Sequence, residues 1–367
     1  MSPLEYILDK ARWAPSGDNV QNWRFEVVSE DAFIIRAFDT RDTVVYDFDG
    51  RPSQIALGAL LENISLAASH QQRQAEFLRI DNDNQQDNSR AISYQVRLLP
   101  ADTCTAHPLV AEIEKRSVQR RALSTRALQP EHQLALEQAA GDHFTVCWFG
   151  GWRQRWKIAK LLWSNARIRL TMPEAFPTHK KVIDWGKQYS DDRIPDQAIG
   201  MDKLGLLLMR WAMHSWQRVN LMNNYMAGTW LPRLQLDLVP ALFCATHFMI
   251  VAKKEPQTVD DFVAAGRSLQ GFWLTASQLG IQLQPEMTPL IFSWYVKAGR
   301  TCSATAGIQE QMQELRQNLA AFCHPAMLKN TCFMGRVGYG KPARSRSLRL
   351  KLRDLCLPST VRHKNTA

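Results

Sequence analysis

A chain of 367 residues can bury a sizeable core and fold as two domain-sized units or one large one. Its 45% hydrophobic and 22% charged residues are the balance of an ordinary soluble globular protein. The start, Met1 to Glu5, lacks a basic stretch leading into an apolar run. The most apolar segment, Leu204 to Met213, is broken by Arg210 and followed by His214 and Arg218, well short of a membrane span. A cytoplasmic protein with no membrane partner is the expectation. The seven cysteines (Cys104, Cys147, Cys244, Cys302, Cys323, Cys332 and Cys356) form no C-x-x-C pair, so neither a disulfide framework nor a zinc or other metal site is indicated. The net charge of +10 is uneven: Arg336 to Ala367 holds nine Lys or Arg against Asp354 alone, giving +8. No nucleic-acid motif accompanies that tail, so no nucleic-acid partner is expected. A localised anion such as a phosphate group accounts for the clustering.

In chain order, the pattern predicts a helix over 3–12, a Pro-Ser-Gly turn at Pro15 to Gly17, and strands at Trp23 to Val28 and Ala32 to Phe38. An apolar-periodic helix follows at Gln54 to Ser69, then a polar loop at Asp81 to Ser89, a strand at Ser93 to Leu99 and a linker at Pro100 to Pro108. A basic segment, Glu114 to Arg121, opens the second block on or next to a helix. It leads to a helix over 130–140 and a strand at Phe144 to Phe149. Residues 152–236 read as mostly helical and heavy in Trp and Met. A strand at Ala241 to Ala252, a helix at Val259 to Leu279 and a helix at Gln309 to Phe322 precede the basic tail.

The two apolar helices resemble each other. Gly58, Leu61, Leu66, Ala68 and Ser69 recur at the same offsets as Gly266, Leu269, Leu274, Ala276 and Ser277. Helix periodicity forces some matches, but an initial Gly and a final Ala-Ser pair favour an internal duplication. Small residues along both helices would let them cross closely at a pseudo-twofold axis.

Three segments carry a family resemblance. Ala14 to Trp23 (Ala-Pro-Ser-Gly-Asp-Asn-Val-Gln-Asn-Trp) resembles the Ala-Pro-Ser-x-x-Asn-x-Gln-Pro-Trp signature of nitroreductase-like flavoproteins, with Asn22 in place of the usual Pro. Arg116 to Arg121 (Arg-Ser-Val-Gln-Arg-Arg) is similar to their Arg-Arg-Ser-x-Arg phosphate-binding segment, spaced one residue wider. Gly266 to Pro285 resembles the long family helix and the loop after it.

In ordinary members the arginine segment precedes the Pro-Ser motif, and FMN lies at a homodimer interface. Here the order is reversed, as in fused-half relatives whose single chain imitates the dimer. The resemblance therefore implies an α+β, nitroreductase-like fold. Residues 1–105 form one half and 110–367 the other, with an insert at about 152–236. The halves make a pseudo-dimer with central long helices and antiparallel or mixed sheets, holding one FMN. Assembly is either a monomer or a homodimer.

By the same resemblance, Arg116, Ser117 and Arg120, with Arg346 and Arg349 from the tail, hold the FMN phosphate. Ser16, Gly17, Asn19 and Gln21 line the ribityl chain and pyrimidine edge, and Gln284 and Pro285 lie near flavin N5. A turn residue or an exposed charge is the bland alternative at any one of these positions. No G-x-G-x-x-G follows a strand, so NAD(P)H would share one flavin face with the second substrate in a ping-pong scheme. The implied activity is an FMN-dependent oxidoreductase acting on a small conjugated substrate, with no essential side-chain acid or base. An FMN-sequestering protein with its active face blocked, and a specialised flavin-dependent dehydrogenase of a biosynthetic pathway, remain as alternatives. Some longer relatives are linked to E1-like adenylyltransferase proteins, which implies a protein partner of that class. The Trp and Met residues of the insert read either as core or as a lid over the flavin.

Overall fold

The computed structural model describes residues 1–80, 91–101, 105–225, 228–321 and 323–358. The loop expected at Asp81 to Ser89, Cys104, Phe322 and the tail from Ser359 lie outside the described residues.

Helix α1 (Pro3–Ala11) opens the chain, started by a capping box in which Ser2 and Glu5 satisfy each other's backbone N–H groups. Strands β1 (Trp23–Ser29) and β2 (Ala32–Ala37) form a tight hairpin. Helix α2 (Arg51–His70) then leads to β3 (Arg73–Ile80) and β4 (Ile92–Pro100). The second part begins with α3 (Pro130–Ala140) and β5 (Phe144–Gly150). A large insert follows: α4 (Gly151–Thr171), α5 (Phe176–Val182), the short strands β6 (Ile183–Asp184), β7 (Tyr189–Ser190) and β8 (Ile194–Pro195), α6 (Lys203–Ala212), α7 (Trp216–Tyr225), α8 (Trp230–Pro232), a π-helical turn at Arg233–Leu238, and α9 (Val239–Leu242). The chain then continues through β9 (Thr246–Ala252), α10 (Val259–Gln278), β10 (Ile281–Pro285), α11 (Thr288–Lys297), α12 (Ile308–Ala320), α13 (Pro325–Asn330), β11 (Thr331–Tyr339), β12 (Arg346–Ser347) and α14 (Leu352–Leu355).

The architecture is α+β with two four-stranded sheets, each antiparallel throughout, in the orders β1-β2-β4-β3 and β10-β11-β9-β5. Matching β1 to β5, β2 to β9, β3 to β10 and β4 to β11 makes these orders the same. The long helices α2 and α10 each sit between the second and third strands of their sets, and α1 and α3 each precede the first. Where β1 and β2 are joined by a short turn, β5 and β9 are separated by residues 151–245. Helices α11 to α13 fill the corresponding gap between β10 and β11.

The two units meet where α2 crosses α10. A Cβ at Gly58 would lie 1.9 Å from the Val263 carbonyl oxygen, and one at Gly266 would lie 2.0 Å from that of Ile55. Each glycine therefore faces the residue three positions before the other, a reciprocal contact of the kind a twofold axis produces. The same reciprocity runs through the cores: Val263 packs among Leu57, Leu60, Phe25 and Phe33, while Ile55 packs among Phe248, Phe272 and Leu283. One buried polar contact spans the crossing, Gln270 Nε2 donating to Asn63 Oδ1 at 2.7 Å.

Several expectations need correction. Strand β3 falls between the two helix-and-strand segments read from the sequence, and α11, α13 and β11 also went unread. The strand expected from Ala241 starts at Thr246, because Ala241 and Leu242 complete a helical turn. Arg336, counted with the basic tail, is a buried residue of central strand β11. No helix among the described residues is long and apolar enough to cross a membrane.

Candidate functional site

The Pro-Ser turn sits between α1 and β1 on a strained backbone. Asp18, Asn19 and Gln21 all take left-handed φ values, of 51°, 64° and 46°. Asn and Asp tolerate this region better than most residues, but three in four positions hold it only if the surroundings insist. They do. The Gln21 N–H donates to Ser16 Oγ at 3.0 Å, and Gln21 Nε2 donates to the Asp191 carbonyl at 2.7 Å. Asn19 Nδ2 lies within 3.1–3.3 Å of the Asp191, Leu348 and Arg193 carbonyls. Leu350 N–H donates to Gln21 Oε1 at 2.9 Å. The turn thus clamps the insert loop to the C-terminal segment, which also pair directly through the parallel strands β7 and β12.

Next to this clamp lies a cluster of three arginines. Arg116 is 4% exposed and Arg349 8%. Arg116 Nη2 donates to the Trp13 carbonyl at 3.0 Å, and Arg349 Nε donates to that of Ala14 at 3.0 Å. Arg346 Nη2 donates to the Glu114 carbonyl at 2.5 Å. All three hold backbone carbonyls. None forms an ion pair with a carboxylate among the described residues. The guanidinium of Arg116 stacks 4.5 Å from the Trp273 ring, and that of Arg346 lies 5.4 Å from the Trp13 ring. Arg116 is delivered by a backbone held against β10, where the Gln119 N–H donates to the Leu283 carbonyl at 3.0 Å.

The electrostatics of this cluster are unfavourable as it stands. Burial, then the Arg349 and Arg346 charges, push the Arg116 guanidinium well below its ordinary range. Burial, then Arg346 and Arg12, bring Arg349 down to about 9. Arginine stays charged in proteins, so such depressions measure the cost of holding the charge there. Three N–H donors in the same place, Trp13 Nε1, Arg116 Nε and Arg346 Nε, are buried without a partner. Mutually repelling guanidiniums and orphaned donors are the complement of a multiply charged anion.

Arg120 stands in a different group. Its Nη1 donates to the Ala198 carbonyl at 3.3 Å, and burial brings it down to about 10 against the pull of Asp18. Burial raises Asp18, opposed by Arg120 and Arg169. Arg169 pairs through Nη2 with both oxygens of Asp237 at 2.9 and 3.0 Å, and burial leaves Asp237 up at about 6. His247 Nδ1 lies 2.7 Å from Glu286 Oε2, and Arg336 Nε lies 3.4 Å from Glu286 Oε1. Burial alone would lower His247, but the Glu286 carboxylate outweighs it and holds the imidazole up to about 10. Tyr46 hydroxyl meets His179 Nε2 at 3.0 Å, where burial brings the imidazole down to about 3.

The structure therefore brings together Arg116, Arg346 and Arg349 beside the turn of Ser16, Asn19 and Gln21, with Ser117 half-buried next in the chain. Arg120 stands apart from the other three arginines, its guanidinium on the Ala198 carbonyl and on the Asp18 side of the turn. Gly17 is exposed, with nothing within 4 Å of where a Cβ would stand. Gln284 and Pro285 belong to strand β10 and not to a loop, and the following Glu286 N–H donates to the Met334 carbonyl at 2.8 Å. Gln284 Oε1 is buried without a partner. Sequence reasoning missed Trp13, Trp273, Asp18 and the Arg336–Glu286–His247 group. Trp13 and Asp18 flank or interrupt the motif and were legible as neighbours. The others converge only through tertiary pairing. Two cavities, of about 270 and 330 Å³, are lined by other residues, among them Arg51 and Arg316, or Val296 and Gln313.

Fold and site together define an α+β chain with two four-stranded antiparallel sheets and one cluster of three arginines beside the Pro-Ser turn. No family model matches the sequence, and no curated protein does. Solved structures similar to it include a nitroreductase-like family protein from Bacillus cereus, 10% identical over 68% of this chain and 95% of that one, with a TM-score of 0.33. Another is a nitroreductase with bound FMN from Bacteroides fragilis NCTC 9343, 14% identical over 71% of this chain and 98% of that one, with a TM-score of 0.32.

Proposed function

We propose that the chain is a pseudo-dimeric, nitroreductase-like flavoprotein that binds one FMN and works as an FMN-dependent oxidoreductase. The observation that carries this reading is the set of three arginines beside the Pro-Ser turn, two of them buried, without carboxylate partners among the described residues. A phosphate monoester bears close to two charges and accepts several charge-assisted hydrogen bonds, so it relieves both the repulsion and the orphaned donors. Arg116, Arg346 and Arg349 would hold the phosphate with Trp13 Nε1, and the turn residues Ser16, Asn19 and Gln21 would orient the rest. Bound FMN would supply the hydride or electron transfer. The chain's residues bind it, fix its orientation and limit access.

The matching order of elements in the two units supports proposing one site per chain. Between α1 and β1 lie residues 12–22, which include the Pro-Ser turn. The matching connection, between α3 and β5, is only Gly141 to His143. That short connection leaves no room for a second Pro-Ser turn.

A second reading, sequestration of FMN, is favoured by one observation: the side-chain N–H groups of Asn19 and Gln21 are already engaged by the insert and the C-terminal segment. Anaerobic mixing of the FMN-loaded chain with NADH or NADPH separates the two. Bleaching of the flavin within the mixing time, followed by reoxidation with a quinone or nitroaromatic, supports the oxidoreductase. Persistent yellow colour with both donors supports sequestration.

A further inference from the structure

We infer that the 270 Å³ cavity at the start of the two long helices is a second anion site, built for a compact phosphate-bearing ligand. Its wall carries Arg51, Lys297, Arg316 and Lys329 against a single carboxylate, Glu255. Both lysines already share that carboxylate, Lys329 at 3.3 Å and Lys297 in closer contact. The two arginines are left without it.

Arg51 is the first residue of α2. Its guanidinium lies 4.9–5.0 Å from the ring centroids of Phe48, Phe262 and Trp294 and makes no hydrogen bond to a described residue. The nearest carboxylate, Asp49 at 3.9 Å, is held by Arg300 at 2.5 Å. Aromatic faces fix the position of such a cation without using its N–H groups. Arg316 is fixed on one side only, Nη1 donating to Ser293 Oγ at 2.7 Å and to its carbonyl at 2.9 Å. It has no carboxylate partner among the described residues. Two oriented guanidiniums with free donors, reinforced by two lysines at the rim, match the geometry and charge of a phosphate. Phe262 and Trp294 add an apolar wall for an organic substituent.

This site is not the arginine cluster of the flavin reading. That cluster packs on Trp273, eleven residues or about 16 Å along α10 from Phe262, and no residue lines both places. The inference stands whether or not the chain binds FMN.

Calorimetric titration of the full chain with inorganic phosphate tests it, alongside R316Q, K329Q and R116Q. The expected result is saturable binding that persists in R116Q, which removes phosphate bound at the arginine cluster, and that in this R116Q background R316Q weakens at least about tenfold and K329Q weakens less. Lys329 is exposed, so K329Q keeps the test valid should R316Q disturb the packing at Ser293. Phenyl phosphate in place of the free ion distinguishes the source: tighter binding assigns a phosphate ester, and equal binding assigns phosphate itself. Absence of binding, wild-type affinity in both R316Q and K329Q, or loss of all binding in R116Q would overturn the assignment.

Discussion

Replacing Gly266 by alanine would place a methyl group 2.0 Å from the Ile55 carbonyl oxygen and 2.9 Å from the Gly58 Cα. A carbon–oxygen contact needs about 3.3 Å, so α2 and α10 would have to separate by roughly 1.3 Å where they cross. Backbone atoms cannot rotate aside as a flexible side chain can. The cost is therefore at or above the upper end of the about 1–3 kcal/mol typical of overpacking. Alanine's better helix propensity returns about 1 kcal/mol, leaving a net loss of about 2–3 kcal/mol. Gly58→Ala meets the reciprocal obstacle, 1.9 Å from the Val263 carbonyl, and should cost about the same. The double variant should lose less than the sum, because one separation of the helices accommodates both methyl groups. Urea unfolding followed by tryptophan fluorescence reads the three midpoints. An unchanged or raised midpoint in either single variant, the ordinary outcome for an unconstrained helix glycine, would refute the close crossing.

Arg116→Met should leave the flavin-free chain as stable as wild type or more so, since it removes a buried charge that two neighbouring arginines repel, while FMN affinity falls more than about tenfold. A matched loss of melting temperature and affinity would make Arg116 merely structural. His247 is protonated more readily in the fold than in the unfolded chain, with its pKa held up from 6.5 to about 10. Its contribution is therefore fully present below about pH 6.5 and lost as the pH rises towards 10. Urea midpoints between those limits should fall more steeply for wild type than for His247→Gln, and parallel slopes would contradict this. Gln21→Leu removes the acceptor of the Leu350 N–H, so amide exchange at Leu350 should quicken at least about tenfold with little change at β1. Unchanged exchange there would mean that the turn does not clamp the C-terminal segment.

Much of the fold was legible because it rests on patterns local in sequence. The paired helices announced themselves through glycines that the crossing needs, and strands β1, β2, β4 and β5 through apolar alternation or apolar runs. What escaped had mixed signals. Strand β3, Arg-Gln-Ala-Glu-Phe-Leu-Arg-Ile, buries little and lies on a sheet edge, so its sequence shows scant hydrophobic period. Strand β11 is apolar around Arg336, and that arginine drew the eye to the basic tail. Only its tertiary partners, Glu286 and the carbonyls of Arg120 and Arg121 at 2.8 and 3.3 Å, explain a cation in a central strand. The arginine cluster was named from the sequence at Arg116, Arg346 and Arg349. Arg120 was grouped with them because a motif conveys spacing and not direction. The engagement of Asn19 and Gln21 by the insert depends on contacts more than 160 residues apart in sequence, beyond any local signal.

Titration of the flavin-free chain with FMN and with riboflavin, in wild type and in Arg116→Gln, tests the phosphate assignment most directly. The account predicts one FMN per chain, bound at least about a hundredfold more tightly than riboflavin in wild type, with that preference largely abolished by the substitution. Equal affinity for the two flavins, or an FMN preference that survives loss of Arg116, would contradict it.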